Sequence, residues 1–157
     1  MHEAKRGGRR VVFTNGCFDL VHAGHVALLE RAKGFGDLLI VAINSDQSVR
    51  ALKGALRPIL PQQDRAVLIA AFECVDYVTI FHEATPERLI RTVRPHVLVK
   101  GSDWGRGHIV GCDLVEGTGG RVVRIPLIRG RSTTTLIEHI QALPRLEGND
   151  RSKALVR

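Results

Sequence analysis

The nine residues DLLIVAINS, at positions 37–45, contain an apolar run that is too continuous for a strand with one face in water. A strand that is apolar on both sides is typical of a parallel sheet covered by helices on both faces. Shorter runs of β-branched and apolar residues recur at positions 10–15, 76–81, 96–101 and 121–127. The sequence therefore predicts a layered α/β fold with residues 37–45 as a buried strand.

Helical patterns lie between these runs. They cover residues 24–35, 60–75, 85–93 and 132–143. We expect Pro61 near the first turn of the second helix, and Thr85 as N-cap of the third with Pro86 at its first position. The residues of the second helix predicted to face inward are Val67, Leu68, Ala71 and Phe72.

Alternating strands and helices predict a Rossmann-like, doubly wound parallel sheet of five strands, with helices on both faces, in a single domain. We expect residues 9–143 to form this domain, with a basic tail at residues 1–8 and a polar tail at residues 144–157. In such sheets, ligands bind outside the carboxyl ends of the strands.

Composition narrows the class of protein. No run of about 18 apolar residues is present and the basic start lacks a signal-peptide core, so we expect a cytoplasmic protein with no membrane partner. Three cysteines without a CxxC pair favour neither a disulfide framework nor zinc. The net charge of +7 fits an anionic partner or simple solubility, but aromatic residues are only 4% and no nucleic-acid motif appears.

The stretch TNGCFDLVHAGH, at positions 14–25, leaves the first strand and enters the first helix. Gly16 lets backbone amides approach a ligand, and the helix N-terminus favours an anion. His22 and His25 lie on one side of the helix start, and Gly24 between them lacks a side chain that would block a phosphate. This arrangement predicts an oxyanion site; the alternative is that the two histidines only cap the helix.

The motif GCFDLVHAGH resembles the GxFDxxHxGH signature of the HxGH nucleotidyltransferase superfamily, which is cytidylyltransferase-like. The motifs that follow in family order are ALKG (51–54), RP (57–58), QQDR (62–65), VKGSDW (99–104) and GRSTT (130–134). Together they are most similar to the adenylyltransferases of D-glycero-β-D-manno-heptose 1-phosphate, over residues 10–143. The resemblance implies transfer of an adenylyl group from ATP to a sugar 1-phosphate, with Mg²⁺ as cofactor. Homodimers are common in the family.

The resemblance also implies roles for individual residues. His22, His25 and Lys53 are expected to be catalytic, with Lys53 on a loop after the second strand. The expected nucleotide or phosphate contacts are Thr14, Asn15, Gly16, Cys17, Phe18, Gly24, Arg65, Lys100, Gly101, Asp103, Arg131, Ser132 and Thr133. Asp19 either orients the site or its metal, or binds backbone amides in the turn. Lys100 either contacts a ligand or ends a strand in solvent.

Three alternative functions stay open at this point. One is a cytidylyltransferase acting on glycerol 3-phosphate, although Leu127 stands where those enzymes carry an arginine. Another is a nucleotide sensor without turnover. The intact histidine pair and the intact STT segment argue against a sensor. The third is a basic nucleic-acid binder, whose binding would weaken at raised salt.

Overall fold

The structure, a computed structural model, describes residues 7–101, 109–128 and 130–144. Its strands are β1 (Val11–Gly16), β2 (Leu38–Asn44), β3 (Tyr77–Phe81), β4 (Val97–Gly101) and β5 (Arg121–Ile125). They form one sheet in the order β3-β2-β1-β4-β5, and every pairing is parallel. The predicted five-stranded, doubly wound sheet is therefore confirmed.

Six helices lie in the described part of the chain. They are α1 (Ala23–Lys33), α2 (Asp46–Lys53), α3 (Gln62–Ala70), α4 (Glu87–Val93), α5 (Cys112–Glu116) and α6 (Thr133–Ala142). The sequence analysis missed α2 and α5. The signal for α2 was Ser45, whose side chain accepts a hydrogen bond from the Ser48 amide as an N-cap. Lys53 is consequently the last residue of a helix, and the prediction of a loop there was wrong.

The sheet is buried on both faces, which explains the continuous apolar runs. One hydrophobic cluster packs strand residues against Leu29 and Ala32 of α1 and Ile69 of α3. The other packs the alternate strand residues against Ile90 of α4 and Val115 of α5. All seven residues of β2 are buried, as a strand with helices on either side requires.

The predicted inward face of α3 was largely wrong. Val67 is 70% exposed and Leu68 is 43% exposed, whereas Arg65 and Ile69 are the buried residues of this helix. The hydrophobic pattern misled because an arginine, four residues before Ile69, occupies the buried side.

The ends of α3 and α4 also differ in part from the prediction. Ala71 is exposed, and of the predicted set only Phe72 packs, partly buried, against the core. The N-cap of α4 is Pro86, without a side-chain cap bond, so the prediction of Thr85 was wrong. Pro61 is the N-cap of α3 and so lies next to the first turn, as predicted.

The carboxyl ends of β1 and β4 form the switch point of the sheet, where ligands bind in folds of this type. Strand β1 pairs with β2 on one side and β4 on the other, so the connections that leave β1 and β4 diverge there. Within the described ranges, no helix is long and apolar enough to cross a membrane.

Candidate active site

The two histidines of the HAGH segment form a reciprocal cap at the start of α1. His22 is the N-cap residue, and its Nδ1 accepts a hydrogen bond of 3.1 Å from the Gly24 amide. Nδ1 of His25 accepts a longer one of 3.4 Å from the His22 amide. The rings stack with centroids 3.9 Å apart and planes 25° apart. The two histidines therefore do cap the helix, as the alternative interpretation expected. Each cap bond uses only the Nδ1 of its ring and does not involve Nε2.

The cap determines which nitrogen of each ring carries the proton. A neutral imidazole that accepts at Nδ1 carries its hydrogen on Nε2, so each ring offers an Nε2–H donor. Burial, aided by the charge of Arg131, lowers the pKa of His22. Burial and the charge of His22 lower the pKa of His25 to about 4, with Asp19 opposing. Near pH 7 the pair consequently presents two neutral donors side by side.

Gly24 is needed for this geometry because a side chain there would strike protein atoms. A Cβ at this position would lie 2.9 Å from the His22 ring and 3.3 Å from the carbonyl oxygen of Arg131. The sequence analysis expected the glycine to clear room for a phosphate. The structure shows that it first makes room for the histidine ring itself.

The N-terminus of α6 meets that of α1 at the same edge of the sheet. Ser132 is the N-cap of α6, and its hydroxyl accepts from the amide three residues on. The Thr133 hydroxyl donates a 2.6 Å hydrogen bond to the Asp19 carbonyl oxygen, which ties α6 to the turn before α1. Arg131 lies close enough to affect His22. Two helix N-termini, a cation and two imidazole donors together suit a bound polyphosphate.

The carboxyl ends of β1 and β4 add a buried lysine. Lys100 is 9% exposed, and its Nζ donates a 3.1 Å hydrogen bond to the Asn15 carbonyl oxygen, so it does not end the strand in solvent. The Asn15 side-chain oxygen is buried and has no partner in the described part of the chain. Thr14 and Gly101 are buried beside them. Asp103 lies outside the described residues.

Arg65 is fully buried, and its guanidinium donates hydrogen bonds to other groups of the protein. Its Nε donates to the Leu60 carbonyl oxygen, and Nη1 donates to that of Cys17. Its Nη2 lies 2.8 Å from both the Asn44 carbonyl oxygen and an Asp46 carboxylate oxygen. With 0% exposure, Arg65 joins the ends of β1 and β2 to α3. These contacts give Arg65 a structural role, and its contact with a phosphate stays a prediction.

Asp19 likewise binds protein groups, which belong to the segment between α2 and α3. Its carboxylate accepts from Arg57 Nε at 2.7 Å and from the amides of Ile59 and Leu60 at 2.9 and 3.0 Å. Burial alone would raise the pKa of Asp19, but these hydrogen bonds and the charge of Arg57 lower it. Of the two alternatives, the structure favours backbone binding, to a distant segment rather than to its own turn. Both oxygens of the Asp19 carboxylate accept hydrogen bonds from this segment.

The remaining predicted residues surround the end of β1. Burial raises the pKa of the Cys17 thiol, and the positive charge of Lys53 is the strongest influence that opposes this shift. The exposed Lys53 therefore lies within electrostatic reach of the strand end. Phe18 has a left-handed backbone (φ 48°), and its ring lies 5.4 Å from that of His25. A Cβ on Gly16 would lie 3.2 Å from the Phe18 ring, so the glycine allows this ring to fold back.

The structure adds one cation that was not predicted as a site residue. Arg57 was noted only within the RP motif, yet it is held against Asp19, 38 residues earlier in the chain. The position of RP among the other motifs was the one indication that Arg57 belongs to the site. No local pattern indicates which acidic residue forms its ion pair.

Comparisons with known proteins identify the family of this chain. A family model described as cytidylyltransferase-like matches residues 13–116, and the chain belongs to that family. The bifunctional protein HldE of Geobacter sulfurreducens is 54% identical over 136 residues, and that of Koribacter versatilis is 55% identical over 134 residues. These alignments cover 87% and 85% of this chain. The chain spans only 28% of the length of either relative.

A solved structure shows the same fold. The lipopolysaccharide core biosynthesis protein from Thermoplasma volcanium superposes with a TM-score of 0.64 at 26% sequence identity. The match covers 77% of this chain and 98% of that one.

The lowered pKa of His25 predicts acid-sensitive stability. Between about pH 6.5 and pH 4 the unfolded chain binds a proton at this residue that the folded protein excludes, so the free energy of unfolding falls as pH falls. From pH 7.5 to pH 4.5 the loss from His25 should approach about 2 kcal/mol. Urea unfolding of the wild type and His25→Asn at both pH values checks this. His139→Asn, on an exposed face of α6, is the matched control, and an equal acid loss in wild type and His25→Asn would contradict the prediction.

Proposed function

We propose that this chain transfers an adenylyl group from ATP to a sugar 1-phosphate, D-glycero-β-D-manno-heptose 1-phosphate, giving ADP-heptose and pyrophosphate. The observation that carries the proposal is the stacked pair of imidazole donors, His22 and His25, where the N-termini of α1 and α6 meet. Family membership and the heptose-type order of the motifs support the choice of reaction. The name of the solved neighbour, a lipopolysaccharide core biosynthesis protein, is consistent with such a product.

The reaction needs charge stabilisation more than it needs a base. The phosphate of the acceptor is already ionised near pH 7, so its oxygen attacks the α-phosphorus of ATP without prior proton transfer. A new P–O bond forms, and the bond to the bridging oxygen of the β-phosphate breaks, so pyrophosphate leaves with that electron pair. The difficulty is to bring two anions together and to stabilise the crowded α-phosphate.

The residues of this site fit that requirement. The Nε2–H groups of His22 and His25 are neutral donors held in place by the cap, so they need not reorganise as charge develops. The helix N-termini of α1 and α6 favour the polyphosphate, and Arg131 adds a full positive charge beside His22. Lys53 is exposed near the end of β1 and is free to reach a phosphate of either substrate.

Magnesium would enter with the nucleotide. The described residues contain no group of three or more histidine, cysteine or acidic side chains able to hold a metal, and Asp19 is occupied by its own hydrogen bonds. Mg²⁺ retains water and binds phosphate oxygens readily. We therefore assign it to the Mg²⁺–ATP substrate rather than to a protein cage.

A pyrophosphate-release panel tests the proposal. It crosses ATP and CTP with heptose 1-phosphate, glucose 1-phosphate and glycerol 3-phosphate, with His22→Ala/His25→Ala protein as the blank. We expect release only with ATP and heptose 1-phosphate at appreciable kcat/KM. Turnover of CTP with glycerol 3-phosphate would favour the alternative cytidylyltransferase. Saturable ATP binding without turnover on any acceptor would indicate a sensor instead.

A further inference from the structure

The segment at residues 54–61, between α2 and α3, is held over the end of β1 by two buried charges. Asp19 accepts from the amides of Ile59 and Leu60, and Arg65 donates to the Leu60 carbonyl oxygen. Both backbone polar groups of Leu60 are therefore bound by side chains that belong to the site region. A segment fixed in this way is suited to present a side chain accurately.

Arg57 is the side chain that this segment presents. Its Nε donates to Asp19 at 2.7 Å, and the side chain is only 15% exposed. The Asp19 side chain is 0% exposed, so the partner that aims the guanidinium is itself rigid. Among the hydrogen bonds of the described residues, Arg57 uses Nε alone. Its two Nη groups, which lie in one plane, are left for another acceptor.

The location of Arg57 separates it from the histidine pair. Its charge acts on the Cys17 thiol together with that of Lys53, which places both cations near the carboxyl end of β1 on the α2 side. Asp19 lies between the two groups: its carboxylate holds Arg57, and its charge acts on His25. The histidines and Arg131 belong to the α1 and α6 side. The site thus has two cationic parts, with Asp19 between them.

We propose that Arg57 binds the phosphate of the acceptor substrate through its two Nη groups and that Asp19 is the positioning residue that aims it. This inference rests on the proposed function and assigns its acceptor subsite. A planar guanidinium can donate to two phosphate oxygens at once. In the proposed function, the polyphosphate of ATP binds the donors on the other side of Asp19, so Arg57 is left for the phosphate of the acceptor. Two separate cationic parts would hold two anionic substrates close together without a shared ligand.

Kinetics of three variants test the assignment. Arg57→Gln removes the charge, and Arg57→Lys keeps the charge but not the planar pair of donors. Asp19→Asn removes the carboxylate charge that holds the guanidinium in position. Arg91→Gln is the matched control, because Arg91 is an exposed arginine paired with Glu87 on α4. Pyrophosphate release is measured against acceptor at saturating Mg²⁺–ATP, and against Mg²⁺–ATP at saturating acceptor.

We expect Arg57→Gln to raise the KM for heptose 1-phosphate at least about tenfold, as loss of a charge-assisted hydrogen bond implies. The KM for ATP should change less than about twofold, Arg57→Lys should be intermediate, and Asp19→Asn should follow the acceptor-selective pattern. An increase confined to the KM for ATP would overturn the inference, as would a lower melting temperature with both KM values unchanged. Should Asp19→Asn not fold, the two Arg57 variants still decide the outcome.

A binding measurement separates this inference from the proposed function. Inorganic phosphate is titrated calorimetrically into protein saturated with a non-hydrolysable ATP analogue, for wild type, Arg57→Gln and Arg91→Gln. Weaker phosphate binding by Arg57→Gln alone would support the subsite even if no sugar phosphate were turned over. Equal phosphate affinity in all three proteins would overturn the subsite even if heptose 1-phosphate proved to be the acceptor.

Discussion

Replacing His25 by alanine is expected to lower kcat for pyrophosphate release by about 10²–10³, the usual effect of losing one preorganised donor. The Nε2–H of His25 is held toward the site by the bond between its Nδ1 and the His22 amide, and its neutral state needs no proton from solvent. The melting temperature near pH 7.5 should change little, because His22 still caps α1 through the Gly24 amide.

The matched control for this prediction is His139→Ala, which removes an exposed imidazole from α6 far along the chain from the motif. We expect its kcat to equal that of the wild type. The double variant His22→Ala/His25→Ala should lose less than the product of the single effects, since residues that act as a unit are not additive. Wild-type turnover by His25→Ala would remove the ring from the reaction.

Replacing Arg65 by alanine should lower the free energy of unfolding by about 3–5 kcal/mol, as breaking a buried charged network does. The substitution would leave the carbonyl oxygens of Cys17, Asn44 and Leu60 without their partner and would leave a cavity under α3. The melting temperature should fall by roughly 10 °C. Urea unfolding followed by circular dichroism measures both effects.

The control for Arg65 is Arg91→Ala, which breaks an exposed ion pair with Glu87 within α4. Such a surface pair contributes about 0.5 kcal/mol or less. If Arg65→Ala kept wild-type stability and instead raised the KM for ATP, Arg65 would be a phosphate ligand and the structural role described above would be wrong.

The sequence predicted the architecture well because the relevant signals are local. The all-apolar β2 and the strand-like runs of β1, β3, β4 and β5 each carry their own pattern, and parallel sheets restrict how such strands are arranged. The two missed helices are short, and α2 follows so closely on β2 that its N-cap, Ser45, falls inside the predicted strand of residues 37–45. The inward face of α3 failed because its buried polar residue breaks the hydrophobic pattern.

The site was predictable only where its residues are close in sequence. His22, Gly24 and His25 lie within one helical turn, so their spacing alone indicates a cluster at the start of α1. The STT segment at the start of α6 is another local cap. Neither pattern reveals that the caps meet through Thr133 and Asp19, which are 114 residues apart.

The amino-acid sequence by itself determined the five strands, the four longer helical regions, the histidine pair and the family to which these motifs point, because each depends on residues within a few positions of one another. Only the tertiary structure decided which groups Asp19, Arg57 and Arg65 bind. Asp19 and Arg57 are 38 residues apart in the chain, and Arg65 and the Cys17 carbonyl oxygen that it binds are 48 residues apart. Charge and hydrogen bonding act through space. Which arginine is fully buried and which keeps part of its side chain exposed therefore depends on how the sheet brings distant segments together.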